Sequence, residues 1–193
     1  LQSAAVMFDS LCTRLRNGLQ IDSGLSSANL PQAAVLILLE LHEGQVHVVL
    51  TQRAPHMRLH AGEVAFPGGQ CDASDADHWA TALREAGEEI ALPAGRVSRL
   101  GVMAPLVTRS RIEVVPCVGR LQQATEFVAN PQELSTVFRV PLLFFAEPGR
   151  LQFDRAEYAG VVRRVPGYQW QQYRIWGVTA AMLVVLVNLA CAA

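Results

Sequence analysis

Residues 84–90 read REAGEEI and gather Arg84, Glu85, Glu88 and Glu89 within six positions of a chain that is only 17% charged. At 3.6 residues per turn, the three glutamates fall within about 100° of one another on one helix face. Alone, carboxylates at that spacing repel by a few tenths of a kcal/mol. A hard divalent cation such as Mg²⁺ turns the repulsion into attraction, because it takes oxygen ligands and is often shared with substrate phosphates. A solvated helix face carrying charges at random is the competing reading. The residues just upstream weigh against it. Positions 66–69 read FPGG, and paired glycines let the backbone bend tightly or come close to a ligand. A glycine loop followed by an acidic helix suits a metal-bound diphosphate.

Several elements must position this pair. The pattern predicts a helix over 77–91, stopped by Pro93, with Leu83, Ala86 and Ile90 within about 40° of Trp79 as its buried stripe. Residues 54–76, rich in Gly, Pro, Asp and His, read as a long loop, and long loops within compact chains are usually functional. Before the loop, the apolar run at 33–41 reads as a buried strand, Glu43–Gly44 as a turn, and 46–51 as a second strand closing a hairpin. An amphipathic helix is expected over 4–19, followed by a Ser/Gly/Asn/Pro-bearing connection over 22–31. Further strands are expected near 97–104, 113–121 and 150–154, with short helical turns near 131–136. The order of strands, helix, strands and helix predicts an α+β fold, an α/β/α sandwich around a mixed sheet.

Composition bounds the rest. The 193 residues suffice for one domain spanning 1–193, and the net charge of −1 argues against a nucleic-acid binder. Any anionic ligand must therefore be held by a local site. Cys12, Cys71, Cys117 and Cys191 are widely spaced without a CxxC pair, which speaks against structural zinc and fits a reducing, cytoplasmic setting. The first residues, LQSAAVMF, lack a signal-peptide layout. The apolar run AAMLVVLV at 180–187 is shorter than the roughly 20 residues of a spanning helix. It is expected to be a buried terminal helix, not a membrane segment, and either to cap the core or to pair with a second chain as a homodimer. The ending CAA is neither a prenylation nor a peroxisomal signal.

Residues 69–92, GQCDASDADHWATALREAGEEIAL, resemble the Nudix box. Arg84, Glu85, Ala86, Gly87, Glu88 and Glu89 match it in order, and Leu92 fills its final apolar place. The gap from Gly69 to Arg84 is one residue longer than usual, Ala91 stands where glycine is common, and Asp75 is the loosest match, at the acidic position. Residues 49–69, VLTQRAPHMRLHAGEVAFPGG, resemble the motif of the coenzyme A-directed Nudix hydrolases, through Leu50, Thr51, Arg53, Ala54, Arg58, Gly62 and the FPGG, with Val49 the one conservative miss. Weaker likeness extends to 130–142 and 175–180.

The resemblance implies the Nudix sandwich and Mg²⁺- or Mn²⁺-dependent hydrolysis of the diphosphate of coenzyme A, its thioesters or its oxidised forms. The products would be 3′,5′-ADP and 4′-phosphopantetheine or its acylated form. Glu85, Glu88 and Glu89 become the expected metal ligands, and Arg84 the residue that orients a glutamate through a bidentate pair. Gly68 and Gly69 would allow backbone approach, and Arg53 and Arg58 are candidates for substrate phosphates. Glu133 is the preferred general base from a later loop, with Glu126 and Glu113 as rivals. His56 and His60 read as hydrogen-bonding loop residues. Two other readings stand beside this one: a Nudix hydrolase of another nucleoside diphosphate derivative such as ADP-ribose or a dinucleotide, and a Nudix-fold binding protein without turnover.

Overall fold

The computed structural model describes residues 3–22, 24, 30–158 and 160–191. In chain order the elements are α1 (Ala4–Gly18), β1 (Gln32–His42), β2 (Gln45–Arg53), β3 (Val64–Ala65), β4 (Gly68–Gln70), α2 (His78–Ile90), β5 (Val97–Val102), β6 (Leu106–Val107), β7 (Glu113–Leu121), β8 (Leu134–Pro141), α3 (Leu142–Ala146), β9 (Gln152–Tyr158), β10 (Val161–Trp170), β11 (Tyr173–Trp176) and α4 (Gly177–Cys191). Most of the connection expected over 22–31, residues 23 and 25–29, lies outside the described residues, as do the first two and last two positions of the chain.

The continuous apolar run of β1 is explained by burial on both faces. Leu36 and Leu38, with Val49, Val115 and Cys117, pack under Ala82, Ala86 and Ile90 of α2. Ile37 and Leu39, with Val48 and Leu50, face Leu15 of α1 and Met182, Leu183 and Leu186 of α4. The result is the expected α/β/α sandwich. Its sheet is mixed: β1 runs parallel to β7 and antiparallel to β2, and β5 is antiparallel to β7. α4 is the buried terminal helix anticipated from its composition. No helix among the described residues is long and apolar enough to cross a membrane.

One irregularity of the sheet makes the site. β1 and β2 pair only over 39–42 and 45–48, beside the turn at Glu43–Gly44. Further along they part. β3 then pairs with Thr51 and Gln52, and β4 with Ala33, Ala34 and Val35. The FPGG stretch thus bridges the gap between two central strands, and Pro67 O accepts the Leu36 N–H at 2.8 Å. Gly68 is required here. Its φ is 155°, and a Cβ would lie 2.3 Å from Ala34 O and 2.6 Å from Val35 Cα, both backbone atoms.

Three expectations need correction. The helical turns expected near 131–136 are a turn over 131–133 followed by β8, whose half-buried LSTVFRVP lies along one edge of β2 and lacks a clean alternation. The strand expected at 150–154 is β9, displaced two residues at its start and longer. Its antiparallel mate β10, not among the expected strands, contains Pro166 and Gly167, residue types uncommon within strands. Finally, α2 is rotated from the expected stripe. Ala82, Ala86 and Ile90 are buried together with Thr81 and Glu89, while Trp79 and Leu83 are half-buried at the rim. Small alanines let the helix lie close on β1, and Trp79 turns to the Arg99 guanidinium, 5.6 Å from its ring.

Both ends of α2 are set locally. Asp77 caps the start, its Oδ1 accepting the Ala80 N–H at 2.8 Å. At the other end Ala91 adopts φ 54°, ψ 34°, the left-handed conformation in which Leu92 N–H reaches Ala86 O at 3.3 Å. That geometry favours glycine and strains alanine. Ala91→Gly is therefore expected to stabilise the protein by up to about 1 kcal/mol, a rise of roughly 2–4 °C in Tm. Thermal melts of the two proteins check this; an unchanged or lower Tm would show that the site carries no strain.

Candidate active site

The acidic face of α2 is organised around one guanidinium. Arg84 donates from Nε and Nη2 to the two oxygens of Asp75 at 3.1 and 3.0 Å, and from Nη2 also to Gln70 O at 3.1 Å. Its Nη1 donates to Glu85 Oε1 at 2.8 Å and lies 3.6 Å from Glu88 Oε1. Most of its donors are thus committed to carboxylates and a carbonyl inside the protein. Its bidentate partner is Asp75, however, and not a glutamate. Asp75 was not among the expected site residues, although the loose match at the acidic position of the box pointed to it. Its side chain is almost fully buried. The hydrogen bonds from Arg84 hold its carboxyl down at about 2 despite burial, with help from the Asp72 N–H and the Thr81 hydroxyl.

The three glutamates occupy different environments. Glu89 is buried, with 3% of its surface exposed, and its Oε2 accepts the Gly68 N–H at 3.0 Å. Burial pushes its carboxyl up to about 7; the neighbouring Glu133 and Glu85 push the same way, while the Gly68 N–H and the charge of Arg53 oppose them. Glu85 is half-buried, and burial raises its pKa against the pull of Arg84. Glu88 is exposed. Gly69 makes room for Glu85: a Cβ there would stand 2.4–2.6 Å from the Glu85 carboxylate. Gly68 and Gly69 therefore serve the glutamates directly, one by donating an N–H and one by yielding space.

Two loops close around these groups. Val128 N–H donates to Ile90 O at 3.1 Å and Asn130 N–H to Glu89 O at 2.8 Å, so the segment before β8 is zipped to the end of α2. Ala54 N–H donates to Glu133 O at 2.8 Å and ties that segment to the end of β2. Glu133 is thereby half-buried beside Glu85 and Glu89, close enough to raise both their pKa values. The rivals are placed differently. Glu126 is exposed, and Glu113 accepts a hydrogen bond from Gln32 at 2.9 Å. Arg53, at the end of β2, is half-buried near Glu89, and its Nε is buried without a hydrogen-bond partner. Arg58 is exposed on the loop that follows. The two histidines of that loop are hydrogen-bonded, His56 Nε2 with Gln132 O at 3.0 Å and His60 Nδ1 with Glu63 at 2.8 Å.

Among the described residues no three His, Cys, Asp or Glu side chains converge closely enough to hold a metal ion. Glu85 and Glu88 converge instead on Arg84, and Glu89 turns to Gly68. The chemistry of the donor set nevertheless fits a hard divalent cation. Every donor is a carboxylate oxygen, and burial disfavours charge on Glu85 and Glu89 unless a positive partner is near.

Two predictions follow from this geometry. Gly69→Ala displaces a flexible carboxylate, not backbone, so the fold should persist while Mn²⁺ affinity falls about tenfold or more; affinity within twofold of wild type in a titration would remove the link between Gly69 and Glu85. Asp75→Asn should be less stable than wild type by a constant margin above about pH 5. Because the folded pKa of Asp75 is depressed, its ionic contribution is complete above the unfolded value of about 4 and fades as pH falls through 2. Thermal melts between pH 3 and pH 8 should show the gap narrowing only at the acidic end, and a gap that widens there would reverse the assignment.

Comparison with known proteins agrees with the geometry. Residues 30–160 match the family model of the NUDIX domain. The chain is 40% identical over 164 residues to the uncharacterized Nudix hydrolase NudL of Yersinia enterocolitica, covering 85% of this chain and 84% of that protein. It is 36% identical over 183 residues to the NudL protein of Shigella sonnei, covering 95% and 94%. Among solved structures, a NUDIX hydrolase from Alicyclobacillus acidocaldarius superposes with a TM-score of 0.53 at 19% identity, over 84% of this chain and 93% of that one, a likeness of fold. With the box carboxylates mounted on α2 and the glycine turn beneath them, the chain belongs to the Nudix hydrolase family, enzymes that act on diphosphate bonds.

Proposed function

We propose that this protein hydrolyses the diphosphate of coenzyme A and its thioester or oxidised derivatives, releasing 3′,5′-ADP and 4′-phosphopantetheine or the acylated form. The observation that carries the reading is the arrangement of the 49–69 segment. It brings Arg53, with a buried and unpartnered Nε, to the edge of the carboxylate cluster, and leaves Arg58 exposed on the adjoining loop. Coenzyme A carries a 3′-phosphate besides its diphosphate, and two guanidiniums at different depths suit two phosphate positions.

Glu85, Glu88 and Glu89 would hold Mg²⁺ or Mn²⁺, which when bound supplies neutralisation of the diphosphate and activation of a water. Arg84, clamped by Asp75, fixes the direction of Glu85. Gly68 N–H holds Glu89 toward the sheet. Arg53 and Arg58 bind and orient the substrate phosphates. Glu133 accepts the proton of the attacking water, its position set by the backbone bonds through Ala54 and Asn130. The whole of residues 1–193 works as one Nudix domain in a cytoplasmic setting, where coenzyme A is available.

Incubating the protein with coenzyme A, ADP-ribose and a dinucleotide, with and without Mg²⁺ or Mn²⁺, tests the reading. Metal-dependent release of 3′,5′-ADP, faster than cleavage of the other two, is expected. Faster cleavage of ADP-ribose or the dinucleotide would reassign the substrate, and no cleavage of any would favour a binding role. Glu88→Gln should lower kcat/KM by at least about 100-fold with the fold intact; near-wild-type turnover would remove Glu88 from the metal set. Arg58→Ala should impair coenzyme A more than ADP-ribose. Equal losses would assign Arg58 to support of the loop.

A further inference from the structure

The N-terminal end of α2 rests on a buried polar network that lies partly outside the region matched to the family. Asp22, in the connection after α1, has a side chain 2% exposed, and His78, the first residue of α2, one 5% exposed. His78 Nδ1 lies 2.8 Å from Asp22 Oδ1, which also accepts the Gly24 N–H at 3.0 Å. Arg99 of β5 bridges two carboxylates, with Nη2 3.2 Å from Asp22 Oδ2 and Nη1 3.0 Å from Asp77 Oδ2. Asp77 in turn caps α2 through the Ala80 N–H. The connection is itself pinned, because Gln20 and Val102 exchange backbone hydrogen bonds at 2.9 Å in both directions. Asp22 and Arg99 thus hold the first turn of α2 from two other segments, Asp22 through His78 and Arg99 through the N-cap Asp77.

We infer that Asp22 and His78 are positioning residues for the metal-binding carboxylates of α2. The inference rests on the reading of Glu85, Glu88 and Glu89 as metal ligands. A buried carboxylate fixes its donors to a narrow geometry, because losing them strands the Asp22 charge in a poorly solvated interior. His78 carries that restraint into the helix. From it the helix runs without a break through Glu85 to Glu89, two to three turns on at about 1.5 Å per residue. A shift or rotation of the first turn therefore moves each carboxylate relative to Gly68 and Gly69, which belong to the sheet and stay in place. The downstream contacts tolerate little of this. The Glu89–Gly68 bond is 3.0 Å, and the Glu85 carboxylate fills the space a Gly69 Cβ would need. Losing the network should thus cost metal affinity and turnover while leaving substrate recognition by Arg53 and Arg58 untouched. His78 Nε2 has no hydrogen-bond partner, so the donor at the Nδ1 position carries the restraint.

The test compares His78→Ala, His78→Asn and His78→Gln with wild type. Asparagine places an amide N–H near the position of Nδ1; glutamine places one nearer Nε2. Mn²⁺ affinity is read by electron paramagnetic resonance in the absence of substrate, and kcat and KM separately on the best diphosphate substrate. Expected are a ten- to 100-fold weaker Mn²⁺ affinity and a similar fall in kcat for His78→Ala and His78→Gln, with KM within about twofold, and recovery to within about threefold in His78→Asn. Should His78→Ala fail to fold, Asp22→Asn, which preserves shape and removes only the charge opposite Arg99, replaces it and is expected to weaken Mn²⁺ binding at least about threefold. A lower Tm in all variants with unchanged Mn²⁺ affinity would overturn the inference and leave the network structural. Equal behaviour of His78→Asn and His78→Gln would overturn the role of Nδ1. If wild type binds no Mn²⁺, the metal reading and this inference fail together. If it binds Mn²⁺ but spares coenzyme A, only the substrate reading fails.

Discussion

The constraint on which this structure depends is electrostatic. Glu85, Glu89 and Glu133 are brought together half-buried or deeper, and nothing in the overall charge of the chain compensates them. Coulomb repulsion between neighbouring carboxylates grows as water is withdrawn. Compensation must therefore be local, and each device is visible. Arg84 answers Glu85, the Gly68 N–H and the charge of Arg53 answer Glu89, and Asp75 keeps Arg84 from turning to solvent.

Those devices explain the shape of the sheet around them. An N–H aimed at a carboxylate on α2 requires a strand whose backbone faces the helix at close range. The sheet supplies one by parting β1 from β2 and inserting β3 and β4. Glycine is needed twice in succession for different reasons. At Gly68 the backbone follows a φ that side chains avoid and abuts the backbone of β1, and at Gly69 the helix carboxylate takes the volume of a side chain. The same close approach explains why α2 presents alanines to the sheet and why its larger residues, Trp79 and Leu83, sit at the edges.

Much of this was legible in the sequence, for identifiable reasons. The hairpin at Glu43–Gly44, the strand over Glu113–Leu121 and the extent of α2 follow from local rules of periodicity, turns and caps, which act within a few residues. The box and the 49–69 motif named Arg84, the glutamates and the arginines of the preceding loop. The remainder depends on partners far apart in the chain. Periodicity alone put Glu89 on a polar face, whereas the packing that buries it is set by the neighbours of α2 on β1 and β4. Strand β10, which contains Pro166 and Gly167, was not among the expected strands, and its stability comes from pairing with β9 and β11. The importance of Asp75 was signalled only weakly by its place in the box, and that of Asp22 by nothing local, since an aspartate in a Ser/Gly/Asn connection reads as a turn residue until Arg99 and His78 are seen beside it.

The unequal burial of the three glutamates bears on how the proposed metal site would bind a cation strongly and still turn over. A carboxylate that has lost its hydration gains most from a cation, so in the proposed metal set the deeply placed Glu89 would supply the largest part of the electrostatic preference for a charged partner. Its backbone anchor at Gly68 keeps it from following that partner outward. Glu88, still solvated, would lose less on release of that cation and be free to shift as substrate oxygens enter and leave. Glu85 stands between the two, tied to Arg84 by a bond a cation must compete with. A row of equivalent exposed carboxylates would bind weakly, and a row of buried ones would stay protonated near neutral pH. Grading them from interior to solvent along one helix face reconciles the two demands, and the grading is set by the rotation of α2 on the sheet, hence by whatever holds its ends.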